Sequence, residues 1–266
     1  MPFNIETAFI SDEDGDWLAA NHARVGRSFT TYCPTCRKKD DCTYRWRGEA
    51  HQCNCRRQLK LHQHYLLAGI GVPYQRLDWE DYAGGDAKLT DLIDYIDGRD
   101  RYVDRGIGLI LTGGFGLGKT MLANLALKEF VKSGYNCFGT TFAQTIDMYT
   151  SGWYDLEQKQ RFQRRFLHSD VLLLDDVGKE MRASKTNSLP PATFDNILRS
   201  RVQAGRATLI TTNMSLKELG EGYGAAVLSL LTESSLLLEF NGEDFRPQSR
   251  ERTQQELERG ETRPIF

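Results

Sequence analysis

Eight consecutive residues, Gly113-Gly114-Phe115-Gly116-Leu117-Gly118-Lys119-Thr120, set flexible backbone, a cation and a hydroxyl at fixed spacing. They satisfy the pattern G-x-x-x-x-G-K-[ST] in full. Glycines let successive N–H groups turn inward around phosphate oxygens, and a helix starting here adds the positive end of its dipole. Lys119 would reach the β- and γ-phosphates, and the Thr120 hydroxyl would enter the coordination shell of Mg²⁺. The chemistry implied is binding of ATP with Mg²⁺ by this P-loop and by Met121, which continues it into the helix.

Hydrolysis asks for more than a P-loop. It needs a carboxylate beside the magnesium and a group that orients the attacking water. Val171-Leu172-Leu173-Leu174-Asp175-Asp176 supplies acids at the end of four apolar residues, a pattern expected of a buried central strand. Acids at the C-terminal end of such a strand face the nucleotide crevice. Asp175 is assigned to Mg²⁺ and Asp176 to water activation. TLITTN forms another apolar run ending in Asn213, whose amide could bridge the γ-phosphate and water. Capping of the following helix by Asn213 or Ser215 is the competing use of that position.

Five of the six cysteines lie between Cys33 and Cys55. Cys33-Pro34-Thr35-Cys36 and Cys53-Asn54-Cys55 flank CTYRWRGEAHQ, a stretch expected to fold as a hairpin around Gly48. Two close pairs either side of a hairpin suit a zinc ribbon, where four thiolates replace a core too small to hold itself. Cys33, Cys36, Cys53 and Cys55 are the expected zinc ligands, with Cys42 and His51 as spares. An iron–sulfur cluster would use the same thiolates. Cys137, in NCFGTTF, reads as a packed thiol in a strand.

These groups need elements to position them. Strands are expected at Ile107–Thr112, Cys137–Phe142, Val171–Leu174, Thr208–Thr212 and Leu236–Phe240, with helices at 119–132 and 192–203. The alternation points to an α/β fold with a central parallel sheet flanked by helices, preceded by a small zinc-ribbon-like domain. The expected divisions are an N-terminal segment 1–31, with one short helix in DWLAANHARVG, a zinc-binding module 32–64, an ATPase domain 65–245, and a charged tail 246–266. The tail is core-poor and reads as helix-prone or disordered. The net charge of −2 among 266 residues excludes a global field for nucleic acid, so any basic patch is local. No apolar run approaches the ~20 residues that span a bilayer, and no signal-peptide core opens the chain. A cytoplasmic protein is expected.

The segments GIGVPYQRLDWEDY, GLILTGGFGLGKTMLANLA, VLLLDDVGKE, GRATLITTNMSLKEL and LLLEFNGEDFR together resemble the DnaC/DnaI-type helicase loaders and related IstB-type ATPases, a branch of the AAA+ superfamily. The resemblance covers about residues 65–246. It implies that Asn213 is a sensor residue. It also implies a job: delivery of a DnaB-type replicative ring helicase onto single-stranded DNA, by a protein that assembles on the helicase ring. The cysteine module, similar to that of zinc-bearing phage-type loaders, would dock the helicase. Family helices facing DNA correspond to TFAQTIDMYTSGWYDLEQKQRFQRRFLHSD, so Lys159, Arg161, Arg164 and Arg165 become possible DNA contacts; a solvated amphipathic helix would show the same composition. The alternatives are an IstB-type regulator of a transposase and an ATP-gated scaffold with little turnover. One departure bears on this. The family carries arginines before its last strand, one acting on a neighbour's ATP, where this chain has Gly224-Ala225-Ala226-Val227-Leu228-Ser229-Leu230-Leu231. Ala226 and Leu230 stand at the expected places. Such an arginine is worth roughly 10³–10⁵ in rate, so weak intrinsic hydrolysis is expected unless Arg201, Arg206, Arg246 or a partner substitutes.

Overall fold

The computed structural model describes residues 3–22, 32–37, 41–84, 86–180 and 189–266. Helix α1 (Asp12–His22) comes first. It overlaps the helical stretch expected in DWLAANHARVG, whose last four residues lie outside the described ones. The cysteine region folds as the hairpin of β1 (Thr43–Trp46) and β2 (Glu49–Gln52), antiparallel, turning at Arg47 and Gly48 with φ of 51° and 80°. Helix α2 (Cys55–Leu67) leads out of the module, and its Leu61 and Tyr65 are fully buried in the main core. The module and the larger body therefore share one helix.

Short helix α3 (Val72–Gln75), α4 (Asp86–Asp97) and α5 (Arg99–Tyr102) precede the sheet. There follow β3 (Gly108–Gly113), α6 (Lys119–Lys132), β4 (Cys137–Thr141), α7 (Phe142–Ser151) and α8 (Leu156–Phe162). A π turn at Gln163–Leu167 extends α8. Next are β5 (Val171–Val177), α9 (Leu189–Gln203), β6 (Ala207–Thr212), α10 (Leu216–Tyr223), α11 (Ala225–Ser234), β7 (Ser235–Phe240) and α12 (Arg246–Glu258).

All pairings in the five-stranded sheet are parallel, in the order β4-β5-β6-β3-β7. Both faces are covered, which is why β3, β5 and β6 read as unbroken apolar runs. Alternate residues serve opposite layers. Leu109, Leu173 and Leu209 pack toward α2, α4 and α6 with Tyr65, Leu92 and Phe130, whereas Ile110, Leu172 and Ile210 pack with Phe142, Phe194 and Tyr223. The chain leaves β3, crosses to the far edge strand β4, and returns through β5 and β6. The C-terminal ends of β3, β5 and β6 thus meet in one crevice. This is the AAA+ P-loop fold.

The charged segment after 245 is helical and then docks. The Gly48 N–H donates to Glu261, and the Thr262 N–H to the Arg45 carbonyl. Ile265 is buried, its N–H and carbonyl both bonded to Gln58. Arg263 pairs with Asp81 and Glu256 and lies over the Trp46 ring. Among the described residues no helix is long and apolar enough to cross a membrane.

Arg201 is fully buried at the end of α9. It donates to the carbonyls of Phe166, Ser169, Asp170 and Ala207 and to the Thr208 hydroxyl, so it ties the layer beneath the sheet rather than facing a neighbour. Burial lowers its pKa to about 9. Truncation leaves several buried carbonyls without donors, so Arg201→Ala is expected to cost about 3–5 kcal/mol in urea unfolding. A loss below 1 kcal/mol would contradict this structural role.

Candidate nucleotide site and cysteine cluster

The loop between β3 and α6 turns on three left-handed glycines: Gly113, Gly116 and Gly118, with φ of 139°, 75° and 78°. A β-carbon on Gly113 would stand 2.1 Å from the Phe240 carbonyl, and one on Gly116 2.0 Å from the Asp244 carboxylate. Conformation favours glycine at both, and at Gly113 the backbone carbonyl leaves no space for a side chain. Inside the loop, the Lys119 ammonium donates to the carbonyls of Gly113 (2.9 Å) and Gly114 (2.5 Å) and to Asn213 Oδ1 (2.7 Å). Its three donors are all engaged. Burial lowers its pKa, opposed by the carboxylate of Asp176.

Behind the loop, Asp175 Oδ1 accepts from Thr120 Oγ1 at 2.9 Å and Thr211 Oγ1 at 2.5 Å. Burial raises the Asp175 pKa, against the lowering by these two hydroxyls. Thr211 Oγ1 also accepts from the Asp176 N–H at 3.0 Å, so one threonine on β6 ties both acids of β5. The strand is irregular here. Its register against β6 shifts between Leu174 and Val177, and Asp176 takes φ of 57°, costly for a residue with a β-carbon. That twist separates the two neighbours: Asp176 lines the cavity, while Asp175 sits beneath Thr120. The position after β6 also resolves into two jobs. Ser215 caps α10 in a capping box with Glu218, leaving the Asn213 amide oxygen to Lys119.

These groups open on a cavity of about 960 Å³. Glycine-loop residues Phe115 to Met121 form its floor with Asp176 and Asn213. Tyr74, Leu77 and Tyr82 line it from the segment before the sheet, and Arg246, Ser249 and Arg252 from α12. Arg252 pairs with Asp81 at 2.9 Å, and Tyr82 meets Phe245 edge-on at 6.0 Å. Arg246 is mostly exposed, 3.6 Å from Asp244. Beyond Arg246, the contribution of α12 was not legible in the sequence, because its exposed, charged composition has no apolar stripe.

Of the cations singled out for DNA, Lys159 is exposed and Arg161 is bonded to Glu157 at 3.0 Å. Arg164 is held by Glu13, and Arg165 donates to the Leu67 carbonyl at 2.6 Å. They do not form one open patch. The rings of Trp153 and Tyr154 on the α7–α8 turn are exposed, Tyr154 almost wholly.

The sulfurs of Cys33, Cys36, Cys53 and Cys55 all lie within 4.8 Å of one another. Cys33–Cys53 and Cys36–Cys55 are each 3.6 Å apart. A tetrahedron with ~2.3 Å Zn–S bonds has sulfur–sulfur edges of about 3.8 Å, so the four fit zinc. Burial and the neighbouring thiols raise the pKa of Cys53 and Cys55, the cost of ionising crowded sulfurs without a cation. Cys42 packs beside the cluster, and its carbonyl accepts from the Cys53 N–H at 2.7 Å. His51 stacks on Tyr44 and contacts the Trp46 carbonyl at 3.1 Å. Cys137 is buried in β4 within the main core.

Residues 54–253 match the family model described as IstB-like ATP binding protein. Comparison with the curated proteins finds no match. Among solved structures, the chain is similar to the DnaC helicase loader at 24% identity and a TM-score of 0.55, over 64% of this chain and 100% of that one. It is similar to DnaI at 19% identity and a TM-score of 0.54, over 64% and 94% of the two chains. Domain III of the Thermotoga maritima replication initiation protein DnaA matches at 18% identity and a TM-score of 0.54, over 72% and 77%. At these identities the structural matches show the fold.

The Asp175 contact to Thr120 generates a direct test. Asp175→Asn is expected to weaken binding of a fluorescent ATP analogue about tenfold in Mg²⁺, or 1.4 kcal/mol, and to leave binding in EDTA unchanged. Equal weakening in both buffers would show that Asp175 supports the loop rather than the metal.

Proposed function

Because the chain belongs to the family of IstB-like ATP binding proteins, we propose that it is an ATP-controlled loader that places a DnaB-type ring helicase on single-stranded DNA. The observation that carries this reading is the likeness to the DnaC helicase loader, which spans that entire chain. The DnaI likeness and the replication initiation protein add support.

In this reading the glycine loop and the dipole of α6 take the phosphates. Lys119 exchanges its bonds to Gly113, Gly114 and Asn213 for the β- and γ-phosphates. Thr120 and Asp175 would hold Mg²⁺, which neutralises charge on those phosphates. Asp176 accepts the proton of the attacking water, and Asn213, released from Lys119, orients the γ-phosphate. Binding thereby breaks an internal contact between β3–α6 and β6, a means of telling the body of the protein that ATP is present. Tyr74 and Tyr82 offer rings for the base.

Turnover by the lone protein should be slow. Helix α11 has no arginine, Arg201 is buried, and Arg206 is paired with Asp170 at 3.0 Å. Arg246 acts within its own site, so the missing positive charge would come from a neighbouring copy or the helicase. Cys33, Cys36, Cys53 and Cys55 would hold Zn²⁺ in a closed structural site, stabilising the hairpin that meets the helicase. Copies assemble on the helicase ring, and Lys159, Arg161, Arg164 and Arg165 with Tyr154 contribute to strand binding.

Affinity capture from the host is expected to recover the replicative helicase more strongly with ATP than without. Recovery of a transposase would favour the regulator reading instead. Metal analysis should find one zinc per chain, with chelation lowering the melting temperature; iron with visible absorption would replace zinc by a cluster. Arg246→Ala is expected to lower helicase-stimulated hydrolysis about tenfold or more while the protein stays folded. Unchanged turnover would remove Arg246 from the site.

A further inference from the structure

Helix α1 is strongly acidic at its start, with Asp12, Glu13, Asp14 and Asp16. Acids there are ordinary, since they complement the helix dipole. Their placement is not. Both carboxylate oxygens of Glu13 accept from the two terminal nitrogens of Arg164, a fork-to-fork pair. One turn along the same face, the Trp17 ring lies 5.3 Å from the Arg165 guanidinium, which also lies 5.1 Å from the Phe138 ring. Leu18 is 2% exposed and anchors the helix.

The element beneath is the π turn Gln163–Leu167, whose extra residue per turn re-aims the consecutive arginines. What α1 offers them is an anion for Arg164 and a flat ring for Arg165. A single strand of nucleic acid offers the same two groups, a phosphodiester and a base. Glu13 and Trp17 thus present protein versions of both on one face. The exposed rings of Trp153 and Tyr154 and the exposed Lys159 continue along the same helical hairpin, outside the reach of these α1 contacts.

We propose that α1 is an internal competitor for single-stranded nucleic acid, occupying the Arg164–Arg165 face until a strand displaces it. The inference rests on the strand-binding reading above and adds its regulation. The contacts suit displacement. The Glu13–Arg164 pair is exposed on both sides, at 65% and 47%, where ion pairs are weak and screened by salt. A tethered ligand still competes well, because its effective concentration is high. The carboxyl of Glu13 has its pKa lowered mainly by the hydrogen bond from Arg164, as an engaged anion should.

Glu13→Gln removes the charge at an exposed position and leaves the fold intact. Fluorescence anisotropy with a labelled oligothymidylate is expected to show about two- to fivefold tighter binding for Glu13→Gln than for the unaltered chain. The salt dependence should steepen by about one counterion, since Arg164 is then free to take a phosphate. Arg164→Ala should bind weakly and should abolish the gain from Glu13→Gln. In the unaltered chain, hydrogen exchange of α1 should speed up when the oligonucleotide is bound. If Glu13→Gln changes nothing while Arg164→Ala weakens binding, the competitor role is overturned and the strand-binding role stands. Unchanged α1 protection with oligonucleotide bound overturns it equally. If no variant binds, or Arg164→Ala leaves binding unaltered, the strand-binding reading of this face falls with it.

Discussion

The backbone turn from β3 into α6 constrains everything around it. It must aim consecutive N–H groups at one point, which needs left-handed residues that only glycine adopts cheaply. Its neighbours then close to within van der Waals reach: the Phe240 carbonyl beside Gly113, the Asp244 side chain beside Gly116. The Phe245 N–H donates to the Gly116 carbonyl at 3.0 Å. The end of β7 and the start of α12 are therefore tied to the loop itself. A change in the loop's occupancy has a direct hydrogen-bonded path into the C-terminal helix and the residues beyond it.

Two small networks share this loop, and they differ in kind. Thr120, Thr211 and the two acids form a closed set of hydrogen bonds between β5, β6 and α6, built on a strained Asp176. Lys119 and Asn213 form an open one, in which a cation satisfies itself on carbonyls and an amide that a stronger anion would displace. The first positions; the second can respond. A third knot lies at Asp81, which caps its own turn at the Asp78 N–H and pairs with both Arg252 and Arg263. Arg252 lines the cavity and Arg263 lies over Trp46 of the cysteine hairpin. One carboxylate thus links the nucleotide crevice to the module proposed to meet the partner.

Much of this was readable along the chain because it depends on local rules. The β3 and β6 runs are apolar because both faces of a parallel strand are buried, and all five expected strands are present with ends shifted by at most a few residues. The cysteine pairs announce themselves by spacing, and the hairpin between them turns at Gly48 as anticipated. The segment after 245 was opaque for the opposite reason. Its helix is held by ion pairs and by the docking of Ile265, neither of which leaves a periodic apolar signature.

The sequence by itself determined the chemistry on offer: a loop for phosphates, two acids, an amide, four thiols, and an α11 stretch with no arginine. Each follows from residue type at fixed spacing, which folding cannot alter. Only the tertiary structure decided how those groups are used. It placed Asp175 behind the loop and Asp176 in the cavity, through a register shift that no local pattern encodes. It took Arg201 into the core and set an acidic helix on Arg164 and Arg165. Those outcomes join residues far apart in the chain, and such contacts are chosen by packing and charge in three dimensions.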